Sequence, residues 1–234
     1  MKIGVIPARG GSKRIPGKNI KPFAGKPIMA WTIETALECG HFDRLIVSTD
    51  DDEVAGVALQ YGAEVPFRRP AELSDDHTGI IEVVQHAITW LAENGVDAEY
   101  VCCMLATAPF LQPESLSQAL QQLSDSDASY ALSVAAFPFP VQRAIRITPE
   151  NRVEAIWPEN IPRRSQDLEE AFHDAGQFYW GTRKAFERGE PIFSSGSIPI
   201  RLPRYRVQDI DTPEDWKLAE LMFNALRDAG ELAH

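Results

Sequence analysis

With 234 residues, 44% of them hydrophobic and 24% charged, the chain has an ordinary globular composition and enough length for one α/β domain with a large core. A formal net charge of -11 argues against nucleic acid as a partner, and no apolar run is long enough to cross a bilayer, so no membrane is expected either. Cys39, Cys102 and Cys103 form an odd set with no histidine at ligand spacing nearby; they read as reduced thiols in a cytoplasmic protein, not as a disulfide frame or metal site.

The first apolar run, Ile3 to Ile6, reads as a buried strand. A long cationic loop follows, and the cations from Arg9 to Lys18 interrupt any signal-like apolar core. Pro27 to Leu37 predicts a helix with Trp31, Ile33, Ala36 and Leu37 on its apolar stripe, stopped by Gly40. Arg44 to Ser48 is a second buried strand, and Thr49 to Asp52 are suited to cap a helix over Val54 to Tyr61. Gly62 closes that helix, and Glu64 to Phe67 reads as a short edge strand. Strand, helix, strand, helix, strand predicts an α/β fold with a doubly wound, mostly parallel sheet.

A long helix is expected from about Thr78 to Asn94, with Ile80, Val84, Ala87, Ile88 and Leu91 facing the core. Tyr100 to Leu105 is a buried strand, Pro113 to Leu123 a helix, and Tyr130 to Val134 a further strand. From Phe137 the pattern changes: prolines recur at 138, 140, 149, 158 and 162. Residues 137–170 therefore read as an insertion standing off the sheet of a single domain spanning 1–234. The chain returns with a strand over Gly176 to Trp180, a short helix over Thr182 to Arg188 and a late strand at Ile198 to Ile200. Thr212, Pro213 and Asp215 form a helix start, buried further on through Trp216, Ala219, Phe223 and Leu226.

The loop after the first strand, at the carboxyl end of that strand, is where open α/β sheets place ligands. Arg9, Lys13, Arg14 and Lys18 concentrate positive charge there on an acidic protein, which points to an anionic ligand. Gly10 and Gly11 permit a tight turn with amides presented to oxygens, Pro7 and Pro16 stiffen the ends, and Ser12 and Asn19 add polar groups. It is not a Walker A loop, because Gly11 and Gly17 enclose five residues and Asn19 replaces the hydroxyl residue; the dinucleotide fingerprint is absent too. Asp209-Ile210-Asp211 is the second signal. Residues two apart in an extended segment point the same way, so two carboxylates converge while Ile210 faces the core. A divalent cation resolves their repulsion, and carboxylates plus phosphate oxygens are the usual setting of Mg²⁺. The alternative is that Asp211 only supports the following helix start.

The run Pro7-Ala8-Arg9-Gly10-Gly11-Ser12-Lys13-Arg14-Ile15-Pro16-Gly17-Lys18-Asn19 resembles the first motif of the CMP-sialic acid synthetases, the acylneuraminate cytidylyltransferases. Val47 to Asp51, Ala106 to Phe110 and Asp174 to Trp180 resemble the branch of that family that handles pseudaminic acid. The resemblance covers essentially the whole chain. It implies a Rossmann-like nucleotidyltransferase fold, with the insertion as a homodimer contact that closes the partner's sugar pocket. It also implies Mg²⁺-dependent joining of CTP to a nine-carbon 2-keto sugar acid, with loss of pyrophosphate. With loop amides, Arg9, Ser12, Lys13 and Lys18 are expected on the triphosphate, Pro7, Ala8, Gly10 and Gly11 complete the nucleotide-binding loop, Asn19 is expected near the α-phosphate or ribose, and Asp209 and Asp211 on the metal. An Arg-Pro-Ala-Glu-Leu match makes Arg69 a nucleotide candidate, against a plain surface arginine. Asp50 either meets ribose or caps a helix.

The sugar's carboxylate calls for an arginine, and Arg143, Arg163 and Arg164 in the insertion are candidates. Gln166, Asp174 and Gln177 are candidates for its hydroxyl and amide groups, and His173 is either a donor or solvated. Leu105 stands where many CMP-sialate synthetases carry glutamine, which argues against N-acetylneuraminate. Other readings keep the chemistry on N-acetylneuraminic or legionaminic acid, or make the chain a nucleotide-binding regulator without turnover.

Overall fold

Short apolar runs become the strands of one six-stranded sheet in the computed structural model, which describes residues 1–232. The strands are β1 (Lys2–Pro7), β4 (Arg44–Ser48), β5 (Tyr100–Met104), β6 (Tyr130–Ala136), β9 (Phe172–Thr182) and β10 (Ser197–Arg201), in the order β10-β6-β9-β5-β1-β4. Two minor ladders lie outside it. Residues Pro22–Phe23 (β2) pair with Lys26–Pro27 (β3), and Ile145–Ile147 (β7) with Val153–Ala155 (β8).

Helices cover both faces, as the near-continuous apolar strands require. Helices α1 (Ile28–Glu38), α2 (Asp52–Gln60) and α4 (Pro113–Ser124) pack with Ile6, Val47, Cys102 and Trp180 on one face. Helices α3 (Ile80–Glu93) and α5 (Arg183–Glu187) pack with Ile3, Val5, Ile46 and Cys103 on the other. Adjacent Cys102 and Cys103 thus serve opposite cores, and all three cysteines are free. A third cluster brings Trp216, Ala219 and Phe223 of α6 (Pro213–Asp228) against Phe23, Trp31, Ile15 and Ile210. Phe23 meets Trp216 and Phe223 edge-on, each at 5.4 Å between centroids. This cluster seats one residue of the cationic loop and one of the late acidic segment on the same support.

Three elements differ from expectation. The Glu64–Phe67 strand shrinks to one parallel bridge between Glu64 and Ile46, because Pro66 has no N–H with which to extend the ladder. Helix α3 starts at Ile80, since the Asp75 carboxylate takes the amides of His77 and Thr78 at 2.9 and 2.8 Å and holds them in a turn. Strand β9 is eleven residues long and antiparallel to both neighbours, β5 and β6; the other pairs in the sheet are parallel. Its polar start, His173 and Asp174, hides it from a hydrophobicity pattern. Between β6 and β9, residues 137–171 form the β7–β8 hairpin and three short 3₁₀ turns, and most of them are exposed.

Candidate active site

The loop from Ala8 to Gly17 spans the carboxyl end of β1 and is fixed mostly by its own backbone. Ala8 N donates to Ser48 O at 2.9 Å, Gly10 N to Asp50 Oδ1 at 3.0 Å, and Ser12 N to Gly10 O at 3.0 Å. Asn19 is buried, and its side chain donates to Arg9 O at 2.9 Å; it holds the loop as well as lining the cleft. A Cβ on Gly10 would lie 2.5 Å from Asp51 Oδ2 and 2.8 Å from its Cβ, so only glycine fits there. Gly11 faces open space. Asp50 is not the helix cap; Asp51 caps α2, accepting from Glu53 N and Val54 N, and Asp50 instead receives the loop amide.

The loop borders a cleft of about 270 Å³ lined by Pro7, Arg9, Ser12, Lys13, Lys18, Asn19, Arg69, Leu105 and Asp211, among others. The two halves of the site meet at Lys18. Its ammonium donates to Ile210 O at 2.7 Å and reaches Asp211 Oδ1 at 3.3 Å, while Arg14 Nη2 lies 2.8 Å from the same oxygen. Ile210, 1% exposed, is the anchor that sets the flanking aspartates. Asp209 is exposed as a residue, yet partial burial of its carboxyl and then the charge of Asp211 raise its pKa, against Lys18 and Arg14. Among the described residues no group of three or more His, Cys, Asp or Glu is arranged for a metal. The Asp209–Asp211 pair is a fit for a hard cation only if phosphate oxygens complete its shell.

Arg69 is 5% exposed, not on the surface. Its backbone N–H bonds to Thr49 O at 2.8 Å, but Nε and Nη2 have no hydrogen-bond partner. Desolvation lowers its pKa, Asp50 opposes this, and Arg9 adds to it. A buried guanidinium with idle donors at a cleft wall suits an incoming acceptor.

Sequence reasoning missed the opposite rim. Arg9 Nη1 pairs with Asp76 Oδ1 at 2.8 Å, Lys13 pairs with Asp76 Oδ2, and Arg9 also donates to Asp75 O. The available signal was the Asp75-x-x-Thr78 spacing, which predicts the turn that presents Asp76.

The sugar candidates divide. Asp174 Oδ2 accepts from Tyr179 Oη at 2.5 Å and Oδ1 from Gly176 N at 2.9 Å; burial first and this bond second push the tyrosine pKa up. Gln177 is buried and donates to Arg206 O at 2.6 Å, tying β9 to the segment before Asp209. His173 bonds to Asp174 O at 2.8 Å and stacks edge-on with Phe137. Arg143, Arg164 and Gln166 are not brought to the cleft within one chain. Arg143 donates to Ser165, Arg163 to Asp167 O, and Arg164 pairs with Asp167 at 2.7 Å. Gln166 lines a separate groove with Phe139, Pro140 and Glu169.

Comparison with known proteins identifies the family. A sequence model described as Cytidylyltransferase matches residues 3–209. Pseudaminic acid cytidylyltransferase from Campylobacter jejuni is 43% identical over 94% of both chains. CMP-N,N'-diacetyllegionaminic acid synthase from Legionella pneumophila is 32% identical over 97% of this chain and 98% of its own. A solved CMP:2-keto-3-deoxy-manno-octonic acid synthetase complexed with CTP shares the fold, with a TM-score of 0.69 at 19% identity over 99% of both chains. The chain is a nucleotidyltransferase enzyme and belongs to the cytidylyltransferase family.

Proposed function

We propose that this chain joins CTP to pseudaminic acid, giving CMP-pseudaminic acid and pyrophosphate. The observation that carries the reading is the meeting of a cationic loop and an acidic segment across one cleft, with Lys18 Nζ 3.3 Å from Asp211. The 43% identical Campylobacter jejuni relative supplies the sugar. The anomeric C2 hydroxyl of the sugar attacks the α-phosphorus of CTP, a P–O bond forms, the bond to the departing pyrophosphate breaks, and the hydroxyl proton is released to solvent. Arg9, Ser12 and Lys13 hold the β- and γ-phosphates through their side chains, since the amides of Ala8, Gly10 and Ser12 already bond within the protein; Lys18 meets the charge that builds at the α-phosphate, and Arg69 faces the nucleoside. Asp209 and Asp211 would hold Mg²⁺, which when bound neutralises phosphate charge and aligns the leaving group. Asp174 and Gln177 do not border the cleft themselves; in this reading they support its sugar end from β9, where Gln177 O holds the amide of Leu105, a cleft residue, at 2.9 Å.

The active form in this reading is a homodimer in the cytoplasm. Its support is the apolar face of residues 137–171: Phe139, Ile145, Ile147 and Val153 are all more than half exposed on one hairpin and its approach. In this reading Arg143, Arg164 and Gln166, which do not border the cleft of their own chain, serve the cleft of the partner. Among the described residues no helix is long and apolar enough to cross a membrane.

Pyrophosphate release with CTP, Mg²⁺ and a panel of 2-keto sugar acids tests the reading. Turnover is expected to be fastest with pseudaminic acid. Faster turnover with a legionaminic acid would transfer the specificity to the second relative's substrate. Tight CTP binding with no release for any sugar acid would leave only a nucleotide-binding regulator.

A further inference from the structure

The four loop cations are divided between two carboxylates. Arg14 and Lys18 share Asp211, whereas Arg9 and Lys13 share Asp76. Asp211 has a second task in the proposed reaction; Asp76 has none. Its two oxygens each meet a different cation, as two non-bridging oxygens of one phosphate would. The presentation is built in: Asp75 accepts from Thr78 Oγ1 at 2.7 Å and from the amides of His77 and Thr78, which locks the turn that turns Asp76 inward. Thr78 Oγ1 also donates to Glu72 O at 3.3 Å, and Asp75, Asp76 and Thr78 all border the cleft that holds Lys13 and Lys18. Lys13 first and Arg9 second hold the Asp76 carboxyl below its ordinary range, so it is charged whenever the enzyme works near neutrality.

We propose that Asp76 is an internal phosphate mimic that latches the empty site: its carboxylate occupies Arg9 and Lys13, and a di- or triphosphate must displace it to bind. This rests on the reading of the cationic loop as the triphosphate cradle. A polyphosphate reaching Arg9 and Lys13 meets a carboxylate already seated on both, so two like-charged groups compete for the same pair of donors. Binding therefore breaks two ion pairs before it makes new ones, and the apparent affinity is the intrinsic affinity multiplied by the fraction of molecules already unlatched. The same return of Asp76 to Arg9 and Lys13 helps expel pyrophosphate after reaction. Asp76 thus weakens substrate and product alike, which favours turnover over accumulation of the product complex.

The test compares the wild type with Asp76→Asn, using inorganic pyrophosphate in metal-free buffer as the probe. Calorimetry should show pyrophosphate binding roughly 2- to 30-fold tighter to Asp76→Asn, the loss of two partly exposed ion pairs. Lys13→Ala should bind it more weakly. Without any ligand, the amide resonances of residues 74–79 in Asp76→Asn should already lie toward the positions that the pyrophosphate-bound wild type adopts. Unchanged or weaker pyrophosphate binding by Asp76→Asn would overturn the latch, as would ligand-free resonances identical to those of the wild type. If neither protein binds pyrophosphate the cradle reading fails, and the ligand-free comparison alone decides whether Asp76 restrains the loop.

Discussion

The paired glycines at the turn of the cationic loop make opposite demands, and replacing each by alanine separates fold from ligand. At Gly10 the new Cβ would sit 2.5 Å from Asp51 Oδ2, 2.8 Å from its Cβ and 2.9 Å from its Cγ. Rotating Asp51 away does not relieve this, because Cβ itself is in contact and Oδ1 is engaged with Glu53 N and Val54 N at 2.8 and 3.0 Å. Either the loop shifts and loses its bond to Asp50, or the cap of α2 is lost. Overpacking of this kind costs about 1–3 kcal/mol and a lost cap about 1 kcal/mol, so Gly10→Ala should lose about 2–4 kcal/mol. For a chain of this length that lowers the melting temperature by roughly 4–16 °C, which scanning calorimetry resolves. At Gly11 nothing lies within 4 Å, so Gly11→Ala should melt with the wild type while weakening CTP binding, since the methyl group occupies ligand space. If Gly10→Ala melts together with the wild type, the account of the loop's close approach is wrong. If Gly11→Ala binds CTP normally, no phosphate comes near that turn.

Arg69→Met should leave stability unchanged or raise it, because the guanidinium is buried with idle donors, while CTP affinity falls roughly 10- to 150-fold for a lost charged hydrogen bond; calorimetric binding checks both. The Asp75 carboxyl is held down to about 2 from 3.8, first by the Thr78 hydroxyl and then by the amides of His77 and Thr78. A depressed carboxyl stabilises the fold above 3.8 and loses that effect as pH falls toward 2, so wild-type stability should drop more steeply over this window than that of Asp75→Ala, as denaturant titrations at stepped pH would show. Val153, 65% exposed on the hairpin, should tolerate aspartate as a folded chain, but if the proposed homodimer forms through this face Val153→Asp should shift sedimentation from dimer to monomer and depress turnover; an unchanged sedimentation coefficient would refute the hairpin as a dimer contact.

What the sequence made legible follows from local physics. Ile3 to Ile6, bounded by Lys2 and Pro7, and Arg44 to Ser48, bounded by Asp43 and Thr49, are short mainly apolar runs, and they form neighbouring parallel strands. Thr212 and Asp215 carry their capping box in plain spelling, and both halves of it form. The two-residue period of Asp209-Ile210-Asp211 correctly buried Ile210. What stayed hidden depends on contacts between distant segments. The direction of β9 is set by where residues 137–171 return the chain, and nothing in its own residues records that. Asp76 is an ordinary loop aspartate until folding places Arg9 and Lys13 beside it. The choice between Asp50 and Asp51 as cap turns on one residue of register, which composition does not resolve. The burial of Arg69 comes from packing around it, not from its flanking prolines.

The aromatic bed beneath α6 has a mechanical consequence. Ile15 and Ile210 rest on the same pad of Phe23, Trp216 and Phe223, and Lys18 donates to Ile210 O across 192 positions of chain, so the cationic loop and the acidic segment share one support. The spacing between cations and carboxylates is thereby set from behind, by a helix that touches no substrate. Trimming Phe223, 1% exposed, to a smaller side chain would leave a cavity under both segments: it would cost stability as a core truncation does and would loosen the spacing of the charged groups without altering one of them.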